Sequence, residues 1–190
     1  MHKGRLEAFS DGVIAILITI MVLDLKVPHG SDLSALTPLA PLFMSYVLSF
    51  VYLGIYWNNH HHLLQGAQSV SGAVLWGNLH LLFWLSLVPF TTAWIAEGCF
   101  QPIPVAIYGG VLIMAGTAYF ILAQLLIRSH GQDSALARAI GKDTKGKVSL
   151  VIYAVALPLA FWNTTAALAL YVCVAIMWLV PDRRIEKVLH

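Results

Sequence analysis

Residues 5–25 read RLEAFSDGVIAILITIMVLDL. The stretch begins with a polar cluster, Arg5, Glu7, Ser10 and Asp11, and then carries no charge from Gly12 to Leu23. Some twenty residues of helix at about 1.5 Å each span roughly 30 Å, the thickness of a bilayer's hydrocarbon core. A plain anchor has no need of Ser10 and Asp11 at its start, nor of Thr19 near its middle. On a helix Ile16, Thr19, Ile20 and Leu23 fall at i, i+3, i+4 and i+7 and form one stripe. Phe9, Gly12 and Val13 extend that stripe toward Asp11. Such a stripe packed around a symmetry axis makes a hydrophobic constriction that gates by dewetting. Facing lipid or a neighbouring helix, it is simply a packing surface, and periodicity alone does not separate the two.

Working outward, the rest of the chain is of the same kind. Of 190 residues 59% are apolar and only 11% charged, with a mean hydropathy of +0.78. A soluble domain carries about 25% charged residues, so this composition is that of an all-α integral membrane protein. Apolar segments cover residues about 6–25, 38–62, 73–96 and 103–127. Residues 148–180 then run without a charge, too long for one span and suited to two short ones, about 148–162 and 164–180, split near Asn163. Pro181 ends the last helix ahead of a charged tail. The longest polar stretch, 128–147, leaves no room for a soluble domain, so residues 1–190 form a single six-span unit. No internal duplication is evident.

The charges give an independent reading of topology. Lys3 and Arg5 precede the first span; Arg128, Arg138, Lys142, Lys145 and Lys147 lie between the fourth and fifth; Arg183, Arg184 and Lys187 follow the sixth. Only Lys26 falls elsewhere. With six spans all the others share one face, which the positive-inside rule makes cytoplasmic, together with both termini. The basic 128–147 loop suits anionic lipid head groups. The first span is too long for a signal-peptide core and is followed by Asp24, Lys26 and Pro28, not by a cleavage site.

Asp11 at the bilayer edge is costly unless paired or hydrated, and marks either an ion path or a structural contact such as pairing with Arg5 or capping the helix. His60, His61 and His62 point about 100° apart on a helix and do not chelate one ion together. A structural or interfacial role suits them, with one bonding to the start of the first span. At the same depth stand Trp57 and Asn78, so Arg5, Ser10, Asp11, His60 and Asn78 are expected to form one polar network near the inner face. Pro89 and Pro158 are expected to kink their helices, and Gly109, Gly110 and Gly116 to mark close helix packing. Cys99 and Cys173 carry neither metal spacing nor a disulfide framework. No TVGYG-like filter, Walker A loop, nucleophile elbow, His-Glu-x-x-His pair or arginine ladder occurs. Nothing points to an enzyme, a resident metal, a cofactor or nucleic acid.

The spacing Arg5-x-x-x-Phe9-Ser10-Asp11 at the head of the first span resembles the signature of the transmembrane protein 175 family of potassium channels. Trp57-x-x-His60 closing the second span, and the six-span plan, are similar as well. The resemblance implies the single-repeat prokaryotic type, a homotetramer in the cell (inner) membrane whose pore is lined by the first helix of each subunit. It implies Ile16, Ile20 and Leu23 at the constriction and Thr19 in a hydroxyl layer that favours K⁺. Arg5, Phe9, Ser10 and Asp11 would then tie that helix to the second and third. The implied function is passive potassium-permeable conduction, with K⁺ passing transiently and no cofactor. The alternatives are a proton or non-selective monovalent cation leak, or a secondary cation transporter.

Overall fold

The computed structural model of the chain describes residues 3–131, 134–141 and 143–179. The described chain is helical, with short turns between elements. Helix α1 (Lys3–Ile20) tightens into a 3₁₀ turn, Met21–Asp24. After a 3₁₀ segment, Leu33–Leu39, comes α2 (Ala40–Gln65), with Pro41 in its first turn, where a missing N–H costs nothing. Ser71 caps α3 (Gly72–Ser86) by accepting from the Val74 amide at 3.4 Å.

The third segment differs from expectation. Residues 73–96 form two helices, α3 and α4 (Val88–Glu97), parted at Leu87. Pro89 explains the break: it has no N–H to offer and its ring excludes the carbonyl four residues back. Pro158, by contrast, is the penultimate residue of α7 (Thr144–Leu159), so it marks an end and not a kink.

Between them α5 (Pro102–His130) is the longest helix, 29 residues. The polar 128–147 stretch is partly helical: α5 extends to His130, and α6 (Ala135–Ile140) follows, capped by Ser134, which accepts from the Ala137 amide. The long uncharged run holds two helices, α7 and α8 (Thr164–Leu179), with Asn163 accepting from the Ala166 amide at the turn. Val180 and the charged tail lie outside the described residues.

Four segments, Lys3–Asp24, Leu33–Gln65, Gly72–Glu97 and Pro102–His130, are long and apolar enough to cross a membrane. Helices α7 and α8, 16 residues each, reach about 24 Å and fall short of a full hydrocarbon core.

Helix α5 is central and packs against α3, α4, α7 and α8, while α1 lies at one side against α2 and α3. Close approaches use glycine. A Cβ on Gly77 would stand 2.7 Å from a methyl of Leu125, and one on Gly109 would overlap the Tyr171 hydroxyl. Gly110, also expected at a packing surface, faces open space.

The polarity is that of a protein solvated by lipid. Ser10, Ser49, His60, Asn78, Thr91 and Thr92 are buried, whereas Trp76, Phe83, Phe90, Phe161 and Ile176 face outward. So extensive an apolar exterior is not sustained in water. The chain is a multi-pass membrane protein. Lys3 Nζ donates to the Gln65 carbonyl at 3.1 Å, and the amides of Gln68 and Ser69 donate to His130 Nε2 at 2.8 and 3.3 Å. These bonds hold the start of α1, the α2–α3 turn and the end of α5 at one end of the bundle.

Candidate functional site on the first helix

Helix α1 has two faces of different character. Leu6, Ser10, Ile14, Leu17 and Met21 point into the bundle. Phe9, Gly12, Ile16, Thr19, Ile20 and Leu23 point away from it. Ile16 is 62% exposed and Leu23 75%, so the stripe is free of the subunit's own core except at Val13, which is partly buried and packs against it.

The inward face is fixed by polar contacts to two helices. Ser10, fully buried, donates its hydroxyl to the Leu6 carbonyl at 2.9 Å and accepts from Asn78 Nδ2 at 2.9 Å. Asn78 Oδ1 in turn lies 2.7 Å from His60 Nε2. The directions are self-consistent: an amide that donates to Ser10 must present its oxygen to the imidazole, so His60 carries its proton on Nε2. Alongside, Trp57 Nε1 donates to Asp11 Oδ1 at 3.0 Å. One polar cluster therefore joins α1 to α2 and α3, and α2 to α3.

Arg5 and Phe9 stand outside this cluster. Five residues at about 100° each put Arg5 roughly 140° around the helix from Ser10. It shares the outward face with Phe9, and among the described residues it has no ion-pair partner; Lys3 pairs with Glu7 at 3.7 Å instead. Of the other histidines, His61 stacks on Trp57 with ring centroids 6.4 Å apart, and His80 accepts from Trp84 Nε1 at 2.9 Å. Among the described residues no group of three His, Cys, Asp or Glu side chains is placed to hold a metal.

The outward face is apolar apart from Thr19. Its hydroxyl donates to the Ala15 and Ile16 carbonyls at 3.0 and 3.1 Å. With the hydrogen so engaged, the oxygen offers lone pairs outward, and lone pairs suit a cation. The rest of the stripe offers no hydrogen bond to water.

A model of the family described as "Endosomal/lysosomal potassium channel TMEM175" matches residues 5–89, the span holding α1, α2, α3 and the cluster that joins them. A protein of a Chryseobacterium species, named a potassium channel, is 53% identical over 98% of this chain and 97% of its own length. The chain belongs to the TMEM175 family. The crystal structure of a "lysosomal potassium-selective channel TMEM175 homolog" from Chamaesiphon minutus superimposes with a TM-score of 0.80 at 28% identity, covering 94% of this chain and 96% of the other. The human TMEM175, named an endosomal/lysosomal proton channel, is 36% identical over 44% of this chain and 19% of its own length. TMEM175 proteins are thus ion channels in name and in solved structure.

A second set of buried polar residues in this TMEM175 chain was not anticipated from the sequence. Thr92 Oγ1 donates to Ser49 Oγ at 2.6 Å, and Ser49 Oγ lies 3.0 Å from the Tyr108 hydroxyl. The Tyr52 hydroxyl donates to the Tyr171 carbonyl at 2.6 Å and accepts from Tyr153 at 3.2 Å. The signal was present: Ser45, Ser49, Tyr52, Tyr56 and Asn59 recur at i, i+4, i+7, i+11 and i+14 on α2, a polar stripe that an apolar-periodicity reading passes over.

Proposed function

We propose that the chain is the subunit of a potassium-permeable cation channel conducting passively through a central pore. The pore is lined by the outward face of α1, with Ile16, Ile20 and Leu23 as the constriction and Thr19 as the polar layer beside it. The observation that carries this reading is the asymmetry of α1. One face is pinned by Ser10 and Asp11 to Asn78 and Trp57, and the other is apolar, outward and unclaimed by the subunit's own core. Four such faces around an axis form a narrow apolar throat, and a throat of that kind admits an ion only when it wets. Thr19, with lone pairs outward, favours a cation there.

The further parts of the proposal are a homotetramer of one-domain subunits, residues 1–190, in the cell (inner) membrane. Each subunit has six spans with both termini cytoplasmic, and the partners are the bilayer and permeant monovalent cations. The names of the relatives support potassium as the ion, and the run of basic residues at one end supports the orientation. Ser10, Asp11, Trp57, His60 and Asn78 are positioning residues that hold α1 in register, while Arg5 and Phe9 belong to the outward face. A second reading, proton or non-selective cation leak, is favoured by likeness to the human protein named a proton channel.

The test is flux through purified protein in liposomes under separate K⁺, Na⁺ and H⁺ gradients, with Ile16→Asn alongside. K⁺-favoured flux that the substitution alters supports the channel. Proton flux without K⁺ flux supports the second reading, and saturable flux coupled to a second ion points to a transporter.

A further inference from the structure

Helix α2 packs against α1, α4 and α8, and it reaches α5 and α7 through long side chains. Tyr119 of α5 donates its hydroxyl to the Asn59 carbonyl at 3.2 Å, and Tyr153 of α7 donates to Tyr52. Tyrosines at this spacing act as struts, and between them lies a cavity of about 210 Å³ walled by α2, α5, α7 and α8.

Its interior is apolar, with Ile55, Phe120 and Leu150 among the walls. Gly116 leaves it open: a Cβ there would stand 3.3 Å from a Leu150 methyl and 3.7 Å from the Tyr56 hydroxyl. That hydroxyl is the cavity's unusual atom. Among the described residues it has no hydrogen-bond partner, whereas Tyr52, Tyr108, Tyr119, Tyr153 and Tyr171 all have one. The charged part of the lining is at the start of α7, with Asp143, Gly146 and Lys147, and the mouth is assigned to this end. Asp143 is engaged, accepting from the Gly146 amide at 3.1 Å. Lys145 stands 5.9 Å over the Trp178 ring on the adjoining wall.

An apolar chamber of this size does not hold water well, since each buried water needs two to four polar partners. A chain of methylenes needs none. In a membrane protein the ligand that joins such a chain to a charged end is a lipid, and the excess of positive charge about the mouth selects a negative head group. We propose that the cavity binds one acyl chain of an anionic glycerophospholipid. Its phosphate sits at Lys147, and its ester carbonyl accepts from the Tyr56 hydroxyl. The occupant braces α2 against α5 and α7, and through the Trp57 and His60 contacts it stabilises the setting of α1.

Trp178 provides the test because it lines the cavity wall. The protein is placed in dioleoylphosphatidylcholine vesicles carrying equal minor mole fractions of either phosphatidylglycerol or phosphatidylcholine brominated on the acyl chain. Bromine quenches tryptophan at short range, and the difference between wild type and Trp178→Phe isolates the Trp178 signal. Brominated phosphatidylglycerol is expected to quench with a roughly fivefold preference, the share one lysine contributes at an anionic surface. Lys147→Gln should bring that preference toward unity, Tyr56→Phe should weaken quenching, and Gly116→Leu should fill the cavity and abolish it. Equal quenching by both head groups overturns the anionic assignment. Undiminished quenching in a folded Gly116→Leu protein overturns the site. Should Gly116→Leu fail to fold, Lys147→Gln and Tyr56→Phe decide, and unchanged preference and quenching in both would refute the proposal.

Discussion

His60 and Asn78, on different helices, lie 2.7 Å apart with both side chains buried, and Asn78 hands the contact on to Ser10. Asn78 is the hinge-pin of this arrangement, since its amide alone supplies both the donor for Ser10 and the acceptor for His60. Replacing it by the near-isosteric Leu leaves the buried His60 Nε2 without a partner, at about 1–3 kcal/mol, and removes the cross-helix bond to Ser10, whose hydroxyl keeps the Leu6 carbonyl. Asn78→Leu is expected to lower the detergent melting temperature markedly, and Asn78→Leu with His60→Leu to recover part of it. A double substitution no more stable than Asn78→Leu alone would contradict the assigned pairing.

Asp11 differs because it is only half-buried and its partner is a tryptophan N–H. An amide oxygen accepts that bond as well as a carboxylate does in geometry, though without charge assistance. Asp11→Asn is therefore expected to keep the fold and most of the flux. Asp11→Ala should lose about 1 kcal/mol of stability and disturb flux through a loosened α1. If Asp11→Asn abolished conduction while melting like wild type, the carboxylate would be contacting ions directly.

Much of this was readable from residues, and the failures have physical reasons. The stripe on α1 is legible from spacing, but any apolar membrane helix shows such a stripe, and that it faces outward is seen only once Leu6, Ser10, Ile14 and Leu17 are placed in the bundle. Ser10, His60 and Asn78 were grouped by depth alone, which works when both ends of each span are known. Depth alone also puts Arg5 in that group, but helical phase sets it with Phe9 on the outward side. The Leu87 break was half legible, since Pro89 announces a disturbance but not whether neighbouring packing tolerates a bend or demands a new helix. The tyrosine struts are half legible: the recurrence of Ser45, Ser49, Tyr52, Tyr56 and Asn59 marks a polar stripe on α2, but only tertiary contacts show which hydroxyls are spent inside.

Glycine packing offers a sharp contrast between neighbours. Gly109 admits the Tyr171 hydroxyl, while Gly110 faces open space. Gly109→Ala is expected to destabilise by about 1–3 kcal/mol through overpacking. Gly110→Ala should be neutral or slightly stabilising, as alanine favours helix. Because the clash involves the hydroxyl, Tyr171→Phe should rescue part of the Gly109→Ala loss. Melting curves of the four variants in one detergent decide the matter.

The two faces of α1 also separate folding from conduction. Ile14 is fully buried and Ile16 is 62% exposed, two residues away. Asparagine at 14 places an amide among apolar neighbours without partners, costing roughly 1–3 kcal/mol, so Ile14→Asn should reduce the yield of folded protein. Ile16→Asn should leave yield and melting unchanged while altering flux. Equal losses of yield would show that Ile16 packs against something structural rather than lining water.

If α1 faces an axis, like positions on different copies approach one another, and Ile16 offers a direct measurement. Cys99 and Cys173 are free and exposed, so both are first replaced by Ser and a single cysteine is then introduced as Ile16→Cys. A disulfide requires Cα atoms within about 7 Å, a separation that a narrow throat transiently permits and that lipid-facing positions on separate subunits do not. Mild oxidation in membranes is expected to give covalent dimers from Ile16→Cys and none from Phe83→Cys, an outward position on α3. Cross-linking at 83 but not at 16 would move the subunit interface away from α1 and remove the central pore from the proposal, even with the fold intact.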